Sequence, residues 1–117
     1  MKNAVLYWLP HCSTCQKAER FLKSQDVEIS DYRSIKENHL SRDEIEKLAE
    51  KVGGVNEVFS RRAIKYREMK LNERELSETE MLDLMTSQYT FIKRPVLVFG
   101  KKAIAGFSEK KYKEFLQ

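Results

Sequence analysis

The feature that most constrains this chain is a pair of thiols set between an apolar run and a helix-periodic segment. "AVLYWL" (4–9) is short, apolar and rich in strand-forming residues, and it ends at Pro10. The stretch "WLPHCSTCQKAERFL" (8–22) then carries Cys12 and Cys15, followed by Ala18, Phe21 and Leu22 at helical spacing. The pattern predicts a strand, a turn, and a helix that begins at or beside the cysteines. A cysteine at a helix mouth meets unpaired backbone N–H groups and the positive end of the helix dipole, and both favour thiolate over thiol. Cys12 sits at that mouth, and Cys15 falls one turn inside, within reach of it.

The chain has no other cysteine, and its only histidines are His11 and His39. A closed zinc site wants four ligands, so one C-x-x-C without a second pair argues against a metal, unless two chains share one ion. A bridge across two residues closes too small a loop to constrain much of the unfolded chain, so a purely structural disulfide is disfavoured. Two inert buried thiols are the bland alternative. The reading that uses the geometry is a redox pair. Lys17 and Arg20 follow on the same helix, where they either assist the thiolate or are plain surface charges.

The rest of the chain gives the order of elements. "VEISDYR" (27–33) alternates imperfectly and reads as a second strand, completing a βαβ unit. Ser41 with Glu44, and Ser77 with Glu80, are capping boxes that open two helices, the first stopped at Gly53 and Gly54. Between them, "VNEVF" predicts a short helical turn and "RAIKYREMKL" an amphipathic helix. "RPVLVFG" (94–100) reads as a strand, Gly100-Lys101 as a hairpin turn into "KAIAGF", and Ser108 as the start of a last helix carrying Tyr112, Phe115 and Leu116 on one face. The string βαβ, helical insertion, ββα is an α/β arrangement in the thioredoxin order. It predicts one domain over 1–117, with a core of about 1–39 and 90–117 and a helical insertion of about 40–89.

Length and charge set the bounds. A chain of 117 residues, 34% of them charged, suits one soluble domain, and no apolar run approaches the roughly 18 residues of a membrane span. No secretory signal is read at the start, so the expected location is the cytosol, where cysteine pairs are catalytic or metal-binding more often than structural. The net charge of +4 comes with interleaved signs, which favours a solvated mixed surface over direct nucleic-acid binding.

With these residues in place, the chain resembles the glutaredoxin-linked arsenate reductase/Spx family over nearly its whole length. The resemblance rests on the cysteine loop at Cys12, the helical insertion, the arginine of "VFSRRA", then "RPVLVFG" and "GFSEKKYKEFL". It implies a thioredoxin-like fold with an inserted helical subdomain, a reactive first cysteine at Cys12, and an anion-binding arginine at Arg94. It implies a second arginine, matched best by Arg61 and otherwise by Arg62. Pro95 is implied to be a cis proline beside the reactive cysteine. No cofactor or metal is implied, only an external thiol reductant such as glutathione, glutaredoxin or thioredoxin.

Two departures divide the functional expectation. Arsenate reductases of this class carry one loop cysteine and a third arginine after the proline strand, whereas this chain has Cys15 and, near that arginine position, Gly106. One reading is a thiol-disulfide oxidoreductase, with Cys12 as nucleophile, Cys15 as resolving thiol, and weak arsenate reduction at most. The other is a Spx-like redox regulator that binds RNA polymerase through "KVGGVNEVFSRR", although the long C-terminal tail of those regulators is absent.

Overall fold

The computed structural model describes residues 4–117. Four strands form one sheet in the order β2-β1-β3-β4: β1 (Ala4–Trp8), β2 (Ile29–Ser34), β3 (Val96–Phe99) and β4 (Lys102–Ala105). β1 runs parallel to β2 and antiparallel to β3, with Leu6 opposite Leu97, and β3 turns back into β4 with Leu97 opposite Ile104. The parallel pair requires a crossover, and α1 (Ser13–Ser24) supplies it. The tight turn from β3 to β4 uses Gly100 at φ +68°, a conformation open to glycine at little cost. The last helix, α6 (Glu109–Leu116), is capped by Ser108, whose side chain accepts from the Lys111 N–H. This is the thioredoxin-like arrangement expected from the order of elements.

Contacts divide the chain into two units. The first comprises the described residues up to Asn38 together with Arg94–Gln117. Its core lies on one face of the sheet, where Ala4, Leu6 and Leu97 meet Ala18, Phe21 and Leu22 of α1 and Tyr112 of α6. The helical spacing read at 18, 21 and 22 therefore marks the buried stripe. Each fully buried Leu contributes roughly 1.5–3 kcal/mol relative to exposure. The aromatic corner is well defined: Tyr112 stands edge-on to Phe107 at 4.9 Å and to Phe21 at 6.2 Å between ring centroids. Val27 lies before β2 rather than within it, but it still packs on this core.

The second unit is His39–Lys93. It holds α2 (Arg42–Val52), α3 (Val55–Val58), α4 (Ile64–Glu68) and α5 (Glu78–Ser87). Both predicted capping boxes form with reciprocal bonds, Ser41 with Glu44 and Ser77 with Glu80. α2 ends on Gly53 at φ +117°, and it packs against α3 and α5. The unit extends beyond residue 89: Phe59 bridges Ile92, Ser60 N–H donates to the Phe91 carbonyl at 2.7 Å, and Lys93 N–H donates to the Val58 carbonyl at 2.8 Å. Phe59 and Phe91 stack in parallel at 5.7 Å.

One expectation fails here. The segment read as an amphipathic helix in "RAIKYREMKL" is a five-residue helix, α4, that buries none of its residues. Its apolar residue Ile64 is 76% exposed. The periodicity is only partly used: Tyr66 stands edge-on to Phe59 at 6.3 Å and the flanking Ala63 and Leu71 are buried, while Ile64 and Met69 face solvent.

Candidate active site

Cys12 is the N-cap of α1, in extended backbone conformation at φ −87°, ψ 121°. Its Sγ accepts the Cys15 backbone N–H at 3.4 Å, so the sulfur occupies the place that a serine or aspartate oxygen takes in an ordinary cap. The turn leading into it is pinned twice. Cys12 N–H donates to the Leu9 carbonyl at 3.1 Å, and Gln16 Nε2 donates to the Pro10 carbonyl at 2.8 Å. Cys12 is partly accessible, while Cys15 is wholly buried, and both are free thiols.

The two thiols are pushed in opposite directions. Partial burial is the largest single influence on Cys12 and opposes its thiolate. The hydrogen bonds from the Cys15 side chain, the Cys15 N–H and the Thr14 N–H, with the positive charge of Arg94, together outweigh it and hold Cys12 below the ordinary thiol value. For Cys15, burial dominates, aided by its bond to Cys12 and by the Cys12 charge, and the thiol is pushed up to about 12 despite the Leu9 backbone and Arg94. The arrangement is an asymmetric dithiol: a partly accessible sulfur whose pKa is lowered, and a buried one whose pKa is raised.

Arg94 acts electrostatically on both sulfurs from the start of the β3 segment, and the Arg94–Pro95 bond is cis. Pro95 is buried, and its carbonyl accepts the Gly106 N–H at 2.8 Å. Gly106, the residue near the expected third arginine, has φ +81°, and a Cβ there would meet nothing within 4 Å. Arg61 belongs to the helical unit, where Nη2 donates to Asn56 Oδ1 at 2.7 Å and the guanidinium lies 5.3 Å from the Phe59 ring centroid. Arg62 is exposed, with its backbone N–H donating to Ser60 Oγ at 3.3 Å.

Lys17 and Arg20 are exposed and play no part among the influences on Cys12; with Phe21, Ser24, Phe107 and Glu109 they line an open groove of about 520 Å³. Among the described residues, no group of three or more His, Cys, Asp or Glu could hold a metal.

Two residues near the thiols were not singled out from the sequence as parts of the site. Gln16 reaches back over the Pro10 turn, a contact that only the folded loop defines. Tyr112 feels the Cys15 charge, and burial together with that charge raises its own pKa. Its hydroxyl donates to the Gly106 carbonyl at 2.8 Å. The signal for Tyr112 was its place on the apolar face of α6, which marked it as core and not as a polar partner.

Comparison with known proteins agrees with this geometry. The model of the ArsC family matches residues 7–115. The uncharacterized protein YusI of Bacillus subtilis is 38% identical over 96% of this chain and 97% of its own length. The global transcriptional regulator Spx of Streptococcus mutans is 30% identical over 95% of this chain and 81% of its own. An arsenate reductase structure from Vibrio cholerae superposes with a TM-score of 0.83 over 97% of both chains, at 23% identity, which speaks to the fold alone. A thiol pair at the start of the first helix of a thioredoxin-like core, with a family match along almost the whole chain, makes this chain a thiol oxidoreductase-like member of the ArsC family.

Proposed function

We propose that the protein is a thiol-disulfide oxidoreductase in which Cys12 attacks and Cys15 resolves. The observation that carries this reading is the 3.4 Å contact from Cys15 N–H to Cys12 Sγ, together with the opposite displacement of the two thiols. The Cys12 thiolate attacks one sulfur of a disulfide, forming a mixed disulfide and releasing the other sulfur as a thiolate. Cys15 then gives up its proton and attacks the Cys12 sulfur. The Cys12–Cys15 bond forms, the second half of the substrate leaves as a thiolate, and two electrons have passed from the protein to the substrate. An external thiol, such as glutathione, glutaredoxin or thioredoxin, returns them by the reverse exchange.

Arsenate is a poor substrate in this reading. Arg94 supplies one fork of donors near Cys12, but Gly106 supplies none, so an oxyanion would be held by an incomplete clamp. A side-by-side assay of arsenate and a mixed glutathione disulfide tests this, with turnover expected on the disulfide only. The Cys12→Ser variant should lose that turnover, and Cys15→Ser should stop at the mixed disulfide, visible by mass spectrometry. Unimpaired turnover by Cys12→Ser would end the proposal.

The 30% identity to a transcriptional regulator favours one further reading, in which the same pair is a redox switch and RNA polymerase is the partner. A pull-down of polymerase that depends on the oxidation state of Cys12 and Cys15, without catalytic turnover, would select it.

A further inference from the structure

We propose that α4 and the turn after it form a docking surface for a partner protein that presents carboxylates around an aliphatic side chain. Charge is the first observation. The ten residues 61–70 contain Arg61, Arg62, Lys65, Arg67 and Lys70 against a single acid, Glu68. That is +4, the whole net charge of the chain, because the remaining residues hold 17 cations and 17 acids. A charge that looks interleaved over the full sequence is in fact concentrated in one short segment.

Apolar exposure is the second observation, and it falls on the same segment. Three large hydrophobic residues are exposed among the described residues, and two of them are Ile64, at 76%, and Met69, at 48%. The third, Tyr32, is already engaged, donating to Glu19 at 2.6 Å and packing on Trp8 at 4.8 Å between centroids. α4 buries nothing of its own; buried Ala63 precedes it, and Tyr66 stands edge-on to Phe59 at 6.3 Å. Within the segment, Lys65 pairs with Glu68 at 3.6 Å, an exposed contact of little worth, and the side chains of Arg62, Arg67 and Lys70 make no ion pair among the described residues.

Charge complementarity identifies the class of partner, and the exposed aliphatics narrow it. Phosphate backbones would use the cations, but they offer nothing to a three-quarters-exposed isoleucine. A protein surface with an apolar knob inside a ring of carboxylates uses both, the apolar contact giving affinity and the charges giving register and association rate. The proposal does not depend on the redox chemistry of Cys12.

The test titrates the full chain with a short labelled peptide of glutamates flanking leucines. Its serine-for-leucine version and a short DNA duplex are titrated beside it, at low and physiological salt. The leucine peptide should bind and shift backbone amides within 61–70 in NMR spectra. Replacing its leucines, or making Ile64→Ser or Met69→Ser, should weaken binding by about tenfold. Arg67→Glu with Lys70→Glu should abolish it. All these positions are exposed, and unchanged circular dichroism and disulfide exchange would show that the variants are intact. Tighter binding of the duplex with no effect of Ile64→Ser would mean a phosphate-binding surface instead. Absence of peptide binding, or shifts confined to other residues, would also overturn the proposal.

Discussion

Tyr112 and Gly106 are joined by a buried hydroxyl: Tyr112 Oη donates to the Gly106 carbonyl at 2.8 Å, and the same glycine's N–H donates to the Pro95 carbonyl at 2.8 Å. α6 is thus tied through one residue to the strand start that carries Arg94. Tyr112→Phe keeps the ring contacts with Phe21 and Phe107 and removes only the bond. The expected loss is about 0.5–1.5 kcal/mol, since a partly buried carbonyl loses its donor, read as a lower urea midpoint. A looser Pro95 segment should also bring a smaller influence of Arg94 on Cys12, seen as a higher pH midpoint for Cys12 alkylation. No change in either quantity would show that the bond is idle.

Alkylation of Cys12 should proceed with a midpoint below the ordinary thiol value of about 8.5, and Cys12 should be modified before Cys15. Arg94→Gln removes one of the influences that favour the thiolate, so its midpoint should rise toward that of a free thiol. Faster labelling of Cys15 would invert the assignment.

Stability should depend on pH in opposite senses for the two thiols. Cys12 has a depressed pKa when folded, so its contribution is present above the unfolded thiol pKa and is lost as pH falls through the lower folded value. Cys15 has a raised pKa, so its contribution is present below the unfolded value and is lost as pH rises toward about 12. Urea unfolding of wild type and Cys15→Ala from neutral to alkaline pH should show the wild type losing stability, with the variant losing less. Parallel curves would remove Cys15 as the source.

Arg94→Lys keeps the charge and loses the planar fork, so sulfate protection of Cys12 from alkylation should weaken by about tenfold, the equivalent of one charge-assisted bond. Equal protection in both proteins would take Arg94 out of anion binding.

Gly106→Arg should act in two directions. A Cβ at this position meets nothing within 4 Å, but φ +81° costs a non-glycine residue about 1–2 kcal/mol. Lower stability with tighter sulfate protection is the expected pair of results, read by thermal melts and alkylation. A stability loss with no gain in protection would show that this position does not reach the anion.

The sequence was most informative where one local rule had no competitor. Both capping boxes, the α2 stop at Gly53 and the stripe at Ala18, Phe21 and Leu22 were visible because each follows from spacing alone. The thiol pair was visible for the same reason, a helix mouth that must fall at Cys12. α4 was misread because periodicity in "RAIKYREMKL" says that an apolar stripe exists and not that a surface receives it. Tyr112 was missed as part of the site because its partners, Gly106 and Cys15, meet it only through the tertiary arrangement of α6, β4 and α1. After burial and the hydrogen bonds from Cys15 and Thr14, the charge that acts on Cys12 is that of Arg94, far away in sequence, and not that of Lys17 or Arg20, its neighbours on the helix.

The sulfur that attacks is also the sulfur that caps α1. An N-cap acceptor is worth roughly 0.5–2 kcal/mol to its helix, and a sulfur bound in a disulfide or an adduct is a weaker acceptor than a thiolate. Each time Cys12 is occupied, the first turn of α1 therefore surrenders part of its anchorage, and it recovers that anchorage when the thiol is released. The helix behaves as a gauge of what is attached to its own cap, and amide exchange at Cys15 should read that gauge directly.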